Sequence, residues 1–197
     1  ELVRYRKSLV GERTRELSRL QKMLEGANIK LSGTVSDING KSARNILEYI
    51  LTGESFDDTK YDEMYDKKVI AHNLKATKEQ IIDDLNGVMS PLQRKMMRTL
   101  LKHLDELNIH IKELDDDIDS FMKPEEKQAC AAIQEVTGIG STSAQAVISV
   151  IGTDMGRFPD DAHIASWAGL CPGDNESAKK RKSGKTRKGN ALLRETL

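Results

Sequence analysis

The strongest pattern in the chain is an apolar repeat within residues 97–121. Its members alternate at spacings of three and four residues: Met97, Leu100, Leu104, Leu107, Ile111, Leu114, Ile118 and Phe121. This spacing places one apolar stripe along an α-helix and is typical of a coiled-coil seam. Ser90 and Pro91 fit the start of such a helix, and Pro124 lies just beyond its end. The sequence predicts a single helix of about thirty residues and roughly 45 Å.

A helix with a seam of that length needs a partner, because an exposed apolar stripe is unfavourable in water. The stretch 69–88 could supply a partner helix within the chain, and a second copy of the protein could supply one between chains. We expect a homodimer or tetramer assembled through the seam, with packing inside one chain as the alternative.

The rest of the chain also favours helices, and the sequence predicts an all-α protein. Residues 2–25 form a basic amphipathic pattern, and residues 42–51 form a second, shorter one. The acidic segment 53–68 is expected to be a loop. We predict three segments, namely a basic helical region at 1–55, an acidic loop with the coiled coil at 56–124, and a C-terminal domain at 125–197.

The formal net charge of zero conceals a separation of charge along the chain. Residues 1–50 carry ten Lys and Arg against six Asp and Glu, and residues 172–197 carry eight against three. Residues 51–90 carry five against nine, and residues 125–171 carry two against six. Because charges act over roughly 8–10 Å at physiological salt, the basic ends can bind phosphates despite the overall neutrality.

Several classes of protein are disfavoured by the sequence. No apolar run is long enough to span a membrane, and no apolar signal segment opens the chain, so we expect a soluble cytoplasmic protein without a membrane partner. Cys130 and Cys171 are 41 residues apart, and the four histidines do not cluster. We expect reduced thiols and no metal site within this chain.

The C-terminal region contains a glycine-rich turn that is a candidate phosphate-binding site. Gly138, Ile139 and Gly140 separate two helical patterns, and Ser141 fits the start of the second. Glycines permit tight turns and leave amide groups uncovered, so a phosphate could bind the turn and the following helix N-terminus. The pattern is that of a helix-hairpin-helix, which holds a nucleic-acid backbone without reading its sequence. A plain helical hairpin used for packing is the alternative.

A basic strip lies close to the C-terminus. Its seven cations fall within residues 179–188: Lys179, Lys180, Arg181, Lys182, Lys185, Arg187 and Lys188. We expect this strip to bind phosphates, with a solvated tail as the alternative. The segment Ser183-Gly184-Lys185-Thr186 lacks the upstream glycine of a P-loop, because Lys179 occupies that position.

Several short motifs share one order with a known family. They are Thr137-Gly138-Ile139-Gly140, Arg157-Phe158-Pro159, Ala168-Gly169-Leu170-Cys171-Pro172, Asn175-Glu176-Ser177, and Lys188-Gly189-Asn190 followed by Leu193-Arg194. This region, 125–197, resembles the C-terminal domain of the DEDD-type insertion-sequence transposases related to the Piv/MooV DNA invertases. The segment from Arg4 to Ser32 is similar to the part of that family that follows its nuclease domain.

The resemblance implies a function that composition and spacing alone do not. Ser177 corresponds to the serine that attacks DNA, although the family commonly has glycine where this chain has Ala178, and Ser183 is the other candidate. The resemblance further implies an RNase-H-like domain with four acidic residues that bind Mg²⁺, a guide RNA, and assembly as dimers of dimers. We expect this chain to be a fragment without that domain, inactive alone, from a nucleoid-associated protein of a bacterium or archaeon.

Two other functional classes remain compatible with the sequence. One is a noncatalytic helix-hairpin-helix module that holds DNA or structured RNA for a partner. The other is a dimerisation module whose basic ends only keep it soluble.

Overall fold

The computed structural model describes residues 1–71, 76–171, 176–177, 180–181, 185–186 and 188–196, with backbone alone for 176, 177, 180 and 181. The helices in these ranges are α1 (Leu2–Gly26), α2 (Leu31–Thr34), α3 (Lys41–Ile50), α4 (Asp58–Asp66), α5 (Lys78–Asp84), α6 (Pro91–Phe121), α7 (Pro124–Gln134), α8 (Ser141–Ile151), α9 (Asp161–Ala168) and α10 (Ala191–Thr196). A 3-10 turn spans Met155–Arg157, and two short strands, β1 (Glu176–Ser177) and β2 (Lys180–Arg181), pair antiparallel. The prediction of an all-α fold is confirmed.

The chain divides into two compact units. The first comprises Glu1–Lys7 with Glu113–Leu197, and the second comprises Ser8–Lys112. Each unit therefore takes part of α1 and part of α6. The division into segments at residues 55 and 124 stays a prediction.

The second unit is built around one apolar core. Many of its fully buried side chains come from α1, α3, α5 and α6, among them Leu20, Leu24, Ile46, Leu47, Ile81, Met97 and Leu104. Within this unit α1 lies against α6, where His103 Nε2 is 3.3 Å from Glu12 Oε1 and Arg13 donates a 3.3 Å hydrogen bond to Asn108. A helix near the N-terminus therefore accompanies α6 here, whereas the sequence had pointed to the stretch 69–88 as its partner within the chain.

The seam of α6 is largely covered inside a single chain. Six of its eight members are buried, namely Met97, Leu104, Leu107, Ile111, Leu114 and Ile118. Leu101 is buried where the sequence favoured Leu100, which is half-buried, and Phe121 is 76% exposed. This burial agrees with the alternative of packing within the chain, and self-association through the seam stays a prediction.

The expected loop at 53–68 is wrong for most of its length, because α4 occupies Asp58–Asp66. Asp57 caps this helix by accepting a hydrogen bond from the Lys60 amide. Glu63 lies between Lys60 and Lys67, at 2.8 and 2.7 Å, and hydrogen bonds from these two lysines lower its pKa from 4.5 to about 2. Such pairs at helical spacing, together with the burial of Met64, stabilise a helix that is poor in apolar residues.

Two smaller apolar clusters lie among the described residues of the first unit. One joins α8, α9 and α10 through Val147, Ile151, Ala168 and Leu193. The other joins α7 to α8. In the described part of the chain, no helix combines the length and the apolarity needed to cross a lipid bilayer.

Shortening Leu104 to alanine is expected to lower the free energy of unfolding by about 2–5 kcal/mol, because it opens a cavity in the core of the second unit. Ile109→Ala on the same helix is the control, since Ile109 is 56% exposed and its loss should change stability by less than about 0.5 kcal/mol. Urea unfolding followed by circular dichroism measures both. Equal effects of the two substitutions would contradict this account of the core.

Candidate nucleic-acid interface

The turn between α7 and α8 has the backbone conformation for which glycine is suited. Gly138 adopts a φ of +96°, which side-chain-bearing residues rarely adopt. The space around the Cα atoms of Gly138 and Gly140 is open, with no other atom within 4 Å of a Cβ built at either position. The turn closes with a 3.1 Å hydrogen bond from the Ile139 amide to the Val136 carbonyl.

The N-terminus of α8 lacks a side-chain cap. Gly140 is its N-cap residue, and its carbonyl accepts the first helical hydrogen bond, from Ala144. The amides of the first helical turn have no partner within a helix, and the helix dipole makes this end partly positive. The predicted Gly138, Ile139, Gly140 and Ser141 therefore lie together at one end of α8. Phosphate binding at this end stays a prediction.

The packing beneath the turn explains its position. Cys130 of α7 packs with Ala144 and Ile148 of α8, and Ile139 in the turn lies against the same cluster. The small side chain of Ala144, which is fully buried, lets the two helices approach closely. Burial raises the pKa of the Cys130 thiol, which disfavours the reactive thiolate. Cys130 is thus a packing residue.

Ser177 belongs to the short antiparallel pair β1–β2. The register places Ser177 opposite Lys180 and Glu176 opposite Arg181. The backbone thus brings Lys180 of the basic strip opposite the serine. This pairing was not evident from the motifs, which place the serine and the strip one after the other.

The basic strip is described in part. Lys185 and Lys188 are exposed, and Lys180 and Arg181 form β2. Lys179, Lys182 and Arg187 lie outside the described residues, as does Ser183, the second candidate nucleophile. Arg194 of α10 donates a 3.3 Å hydrogen bond to the Thr186 hydroxyl, so the end of the strip is tied to the helix that follows.

Two glycines lie where the chain enters and leaves the segment that carries Ser177. Gly169 ends α9 in the left-handed region, with a φ of +77°. Gly189 lies against the same point: a Cβ on it would be 2.2 Å from the Ala168 carbonyl oxygen and 2.5 Å from the Gly169 Cα. Asn190 then accepts a 3.3 Å hydrogen bond from the Leu193 amide at the start of α10. The motifs around Gly169 and Gly189, separate in sequence, therefore meet in space.

The turn and the hairpin belong to the same unit. α10, which follows the basic strip, packs on α8, which follows the turn. Their contact is made by Leu193, which is buried with Val147 and Ile151. The Gly138–Gly140 turn and the basic strip are therefore each next in sequence to one helix of the packed pair α8–α10. No contact between Ser177 and the turn is seen among the described residues.

An aromatic pocket in the same unit was not among the predicted site residues. Phe158 and Trp167 are in tilted contact, with ring centroids 5.6 Å apart and ring planes at 59°. Arg157, Pro159 and His163 line the pocket with them, against the end of α8. His163 donates to Asp160, and this hydrogen bond holds the pKa of the Asp160 carboxyl below its usual value. The only sequence signal was the motif Arg157-Phe158-Pro159, which by itself indicates no particular chemistry.

Metal-ligating side chains do not cluster in the part of the chain that the structure describes. No group of three or more His, Cys, Asp or Glu residues there could hold a metal ion. The described residues therefore offer no fit for the Mg²⁺ that the resemblance implies for the complete protein.

Comparison with known proteins identifies a relationship for this region. Residues 130–197 match the family model described as Transposase IS116/IS110/IS902 family. The match covers the last third of the chain, including the Gly138–Gly140 turn, the β1–β2 pair and the aromatic pocket. No curated protein and no solved structure gave a significant match. The family match supports an insertion-sequence transposase, a kind of enzyme that cuts and joins DNA.

Proposed function

We propose that this chain is part of a DNA transposase or recombinase in which residues 125–197 bind DNA and supply Ser177 as the nucleophile for strand cleavage and transfer. The observation that carries the proposal is the transposase match over residues 130–197, the region that contains Ser177. The motif resemblance that identifies the serine falls within the same region.

The proposed reaction is a phosphoryl transfer to the serine. Ser177 Oγ attacks a backbone phosphorus, and a covalent bond forms between the serine oxygen and that phosphorus. The bond from phosphorus to one deoxyribose oxygen breaks, and the proton lost by the serine is balanced by the proton gained by that leaving oxygen. A hydroxyl of another DNA strand then attacks the same phosphorus and releases the serine. Each step exchanges one phosphodiester for another, so joining needs no external source of energy.

A serine hydroxyl needs activation, because it is a weak nucleophile at neutral pH. The register of β1 and β2 puts Lys180 opposite Ser177, and the strip supplies further cations at Lys179, Arg181 and Arg187. Positive charge at this place would stabilise the developing alkoxide and the charge on the phosphate. The resemblance assigns a Mg²⁺-binding domain to the complete protein. We assign no step to a metal held by the described residues.

DNA binding is proposed to use two features of the same unit. The Gly138–Gly140 turn and the uncapped first turn of α8 offer backbone amides to a phosphate. The strip offers side-chain cations, of which Lys185 and Lys188 are exposed. Contacts of both kinds go to the DNA backbone, so they position the duplex and leave its sequence unread. A guide RNA, which the resemblance implies, would supply the sequence recognition.

Assembly as a dimer or tetramer is part of the same proposal. The proposed contact is the α6 seam, of which Leu100 is half-buried and Phe121 is 76% exposed within one chain. Leu92 and Met96, one turn apart on α6, are 67% and 50% exposed and are further candidates. Light scattering that shows a monomer at high concentration would contradict assembly by this chain alone.

Nucleic-acid binding should be strongly salt-dependent and tolerant of sequence. Converting Lys180, Arg181, Lys182 and Arg187 to alanine is expected to lower the slope of log affinity against log salt by roughly 0.9 for each phosphate that is no longer neutralised. A control with the same change of charge converts four exposed lysines of the second unit, Lys67, Lys95, Lys102 and Lys112. Fluorescence anisotropy with labelled duplexes measures both. An unchanged slope after the strip substitutions would remove the strip from the DNA-binding surface.

A further inference from the structure

The aromatic pocket has a structure suited to a flat ligand. Val150 and Ile151 from the end of α8 line it, with Phe158 and Trp167 beside them, and its volume is about 340 Å³. This volume is at the lower end of the range of about 300–1,000 Å³ that small-molecule sites occupy. Phe158 is half-buried and packs on the cluster formed by α8, α9 and α10, which fixes the ring. The wall against which a ligand would rest is therefore part of the folded core.

Trp167 retains an accessible surface in this pocket. Its side chain is 47% exposed although it is large and apolar. Its contact with Phe158 is tilted by 59°, so the phenyl ring does not lie flat on the indole. Exposed aromatic side chains are the surfaces on which bases stack in single-strand-binding proteins.

The charges around the pocket favour one phosphate. Arg157 is exposed, and it forms no ion pair with any residue that the structure describes. The neighbouring carboxylates already accept local hydrogen bonds: Asp154 from the Gly156 amide at 3.0 Å, and Asp160 from the backbone and ring nitrogens of His163 at 2.8 and 2.7 Å. Among the described residues, Arg157 is thus the cation with unused donors at the edge of the pocket.

We propose that this pocket binds one unpaired nucleotide of the DNA, with its base on Trp167 and its phosphate at Arg157. This inference rests on the proposed function, since the whole pocket lies in the region 130–197 that matches the transposases. The nucleotide must be unpaired because stacking covers both faces of a base inside a duplex. Unstacking a base requires a few kcal/mol, and least where a strand is already single or frayed, as at a cut end. The pocket belongs to the same unit as Ser177.

The acidic residues on the same segment weaken the electrostatic attraction of DNA to the pocket. Asp154, Asp160 and Asp161 oppose long-range attraction of DNA, so the basic strip must bring the strand to the pocket. The contribution of the pocket should therefore depend weakly on salt, with a change in slope of about one unit or less for the single phosphate at Arg157. This behaviour differs from that of the strip.

The test uses the fluorescence of Trp167, the single tryptophan of the 197-residue chain. A short single-stranded DNA should quench it on titration, whereas a blunt duplex of the same sequence should bind, as judged by anisotropy, with much less quenching. Trp167→Ala should weaken single-strand binding about 5- to 150-fold, the range measured for loss of one stacked base, and Trp167→Phe should recover most of it. Arg157→Gln should weaken binding and reduce the salt slope by about one unit or less.

The matched control for Trp167→Ala is a second exposed aromatic side chain. Tyr5→Ala removes another exposed aromatic ring of the same unit and should leave single-strand binding unchanged. Duplex binding without quenching by single-stranded DNA would overturn the pocket while the proposed function stands. Preferential quenching by RNA, or by a lysine- and arginine-rich peptide, would assign the pocket to a different ligand. If no nucleic acid binds the chain at all, both proposals fail.

Discussion

Replacing Ser177 by alanine in the complete parent protein is expected to abolish strand transfer and to leave DNA affinity nearly unchanged. The substitution deletes the oxygen that would form the bond to phosphorus, and loss of a serine nucleophile elsewhere reduces turnover by about 10⁶-fold. It removes no charge, so the electrostatic attraction that dominates DNA affinity is retained. A strand-transfer assay on supercoiled donor DNA and anisotropy binding measure the two quantities separately.

Ser183→Ala is the matched control for Ser177. The two serines lie six positions apart near the same cations, and Ser183 precedes Gly184 and Lys185 in a segment that is more typical of a phosphate-binding turn. Its loss should reduce strand transfer much less. Mass spectrometry of a trapped covalent adduct identifies the residue directly. An adduct on Ser183, or normal transfer by the Ser177→Ala protein, would overturn the assignment. A protein that binds DNA but never forms an adduct would favour the noncatalytic module.

Local patterns predicted α7 and α8, the two helices that flank the glycine-containing turn. The turn at Gly138 and Gly140 separates α7 from α8 as expected, because a residue with a φ of +96° is best provided by glycine. The loop expected at 53–68 is wrong over Asp58–Asp66, where α4 lies. Its helix α4 depends on a cap and on charge pairs at spacings of three and four, whereas its low apolar content alone favours a loop.

The partner of a long helix is harder to predict than the helix. The apolar spacing on α6 indicated that Met97, Leu104 and Ile111 would be buried, and they are. Periodicity does not specify what buries them, because an apolar stripe fits a helix of the same chain as well as one from another copy. The contacts of Arg13 and Glu12 with α6 come from a segment about ninety residues earlier, and nothing in the spacing of either helix encodes that pairing.

The residues of the candidate site were also hard to predict from local sequence patterns. Ser177 was identified through family resemblance, since a serine near lysines is not in itself a catalytic signature. The aromatic pocket could not have been predicted, because Phe158 and Trp167 are brought together by the turn between α8 and α9. Packing between segments distant in sequence determines which side chains come into contact. A short motif such as Arg157-Phe158-Pro159 does not specify those contacts.

Gly189→Ala is expected to have a large effect on the fold of the first unit. The new Cβ would lie 2.2 Å from the Ala168 carbonyl oxygen and 2.4 Å from its carbon, and both are backbone atoms that cannot rotate away. The backbone at residue 189 would have to move away from Ala168 and Gly169. Overpacking of this kind costs roughly 1–3 kcal/mol, which corresponds to a fall in melting temperature of about 4–24 °C for a domain of about 60–100 residues, the size class of the first unit.

The functional effect of Gly189→Ala should exceed its effect on stability. Ala168 and Leu193 belong to one apolar cluster, so displacement of Gly189 shifts α10 and the strip that precedes it relative to α9. A nucleophile displaced by about 1 Å can lose 10²-fold in rate. We therefore expect strand transfer by the complete parent to fall by about that factor at temperatures where circular dichroism still reports a folded protein.

Gly140→Ala is the matched control for Gly189→Ala. Gly140 has a φ of −84° and open space where a Cβ would be placed, so alanine fits there without a clash. Its effect on stability should stay within about 1 kcal/mol, because the gain from a stiffer unfolded chain opposes the loss of a favourable N-cap residue. If Gly189→Ala melted at the same temperature as Gly140→Ala and transferred strands as well as the unsubstituted protein, the close approach of Gly189 to Ala168 would not be what positions the Ser177 segment.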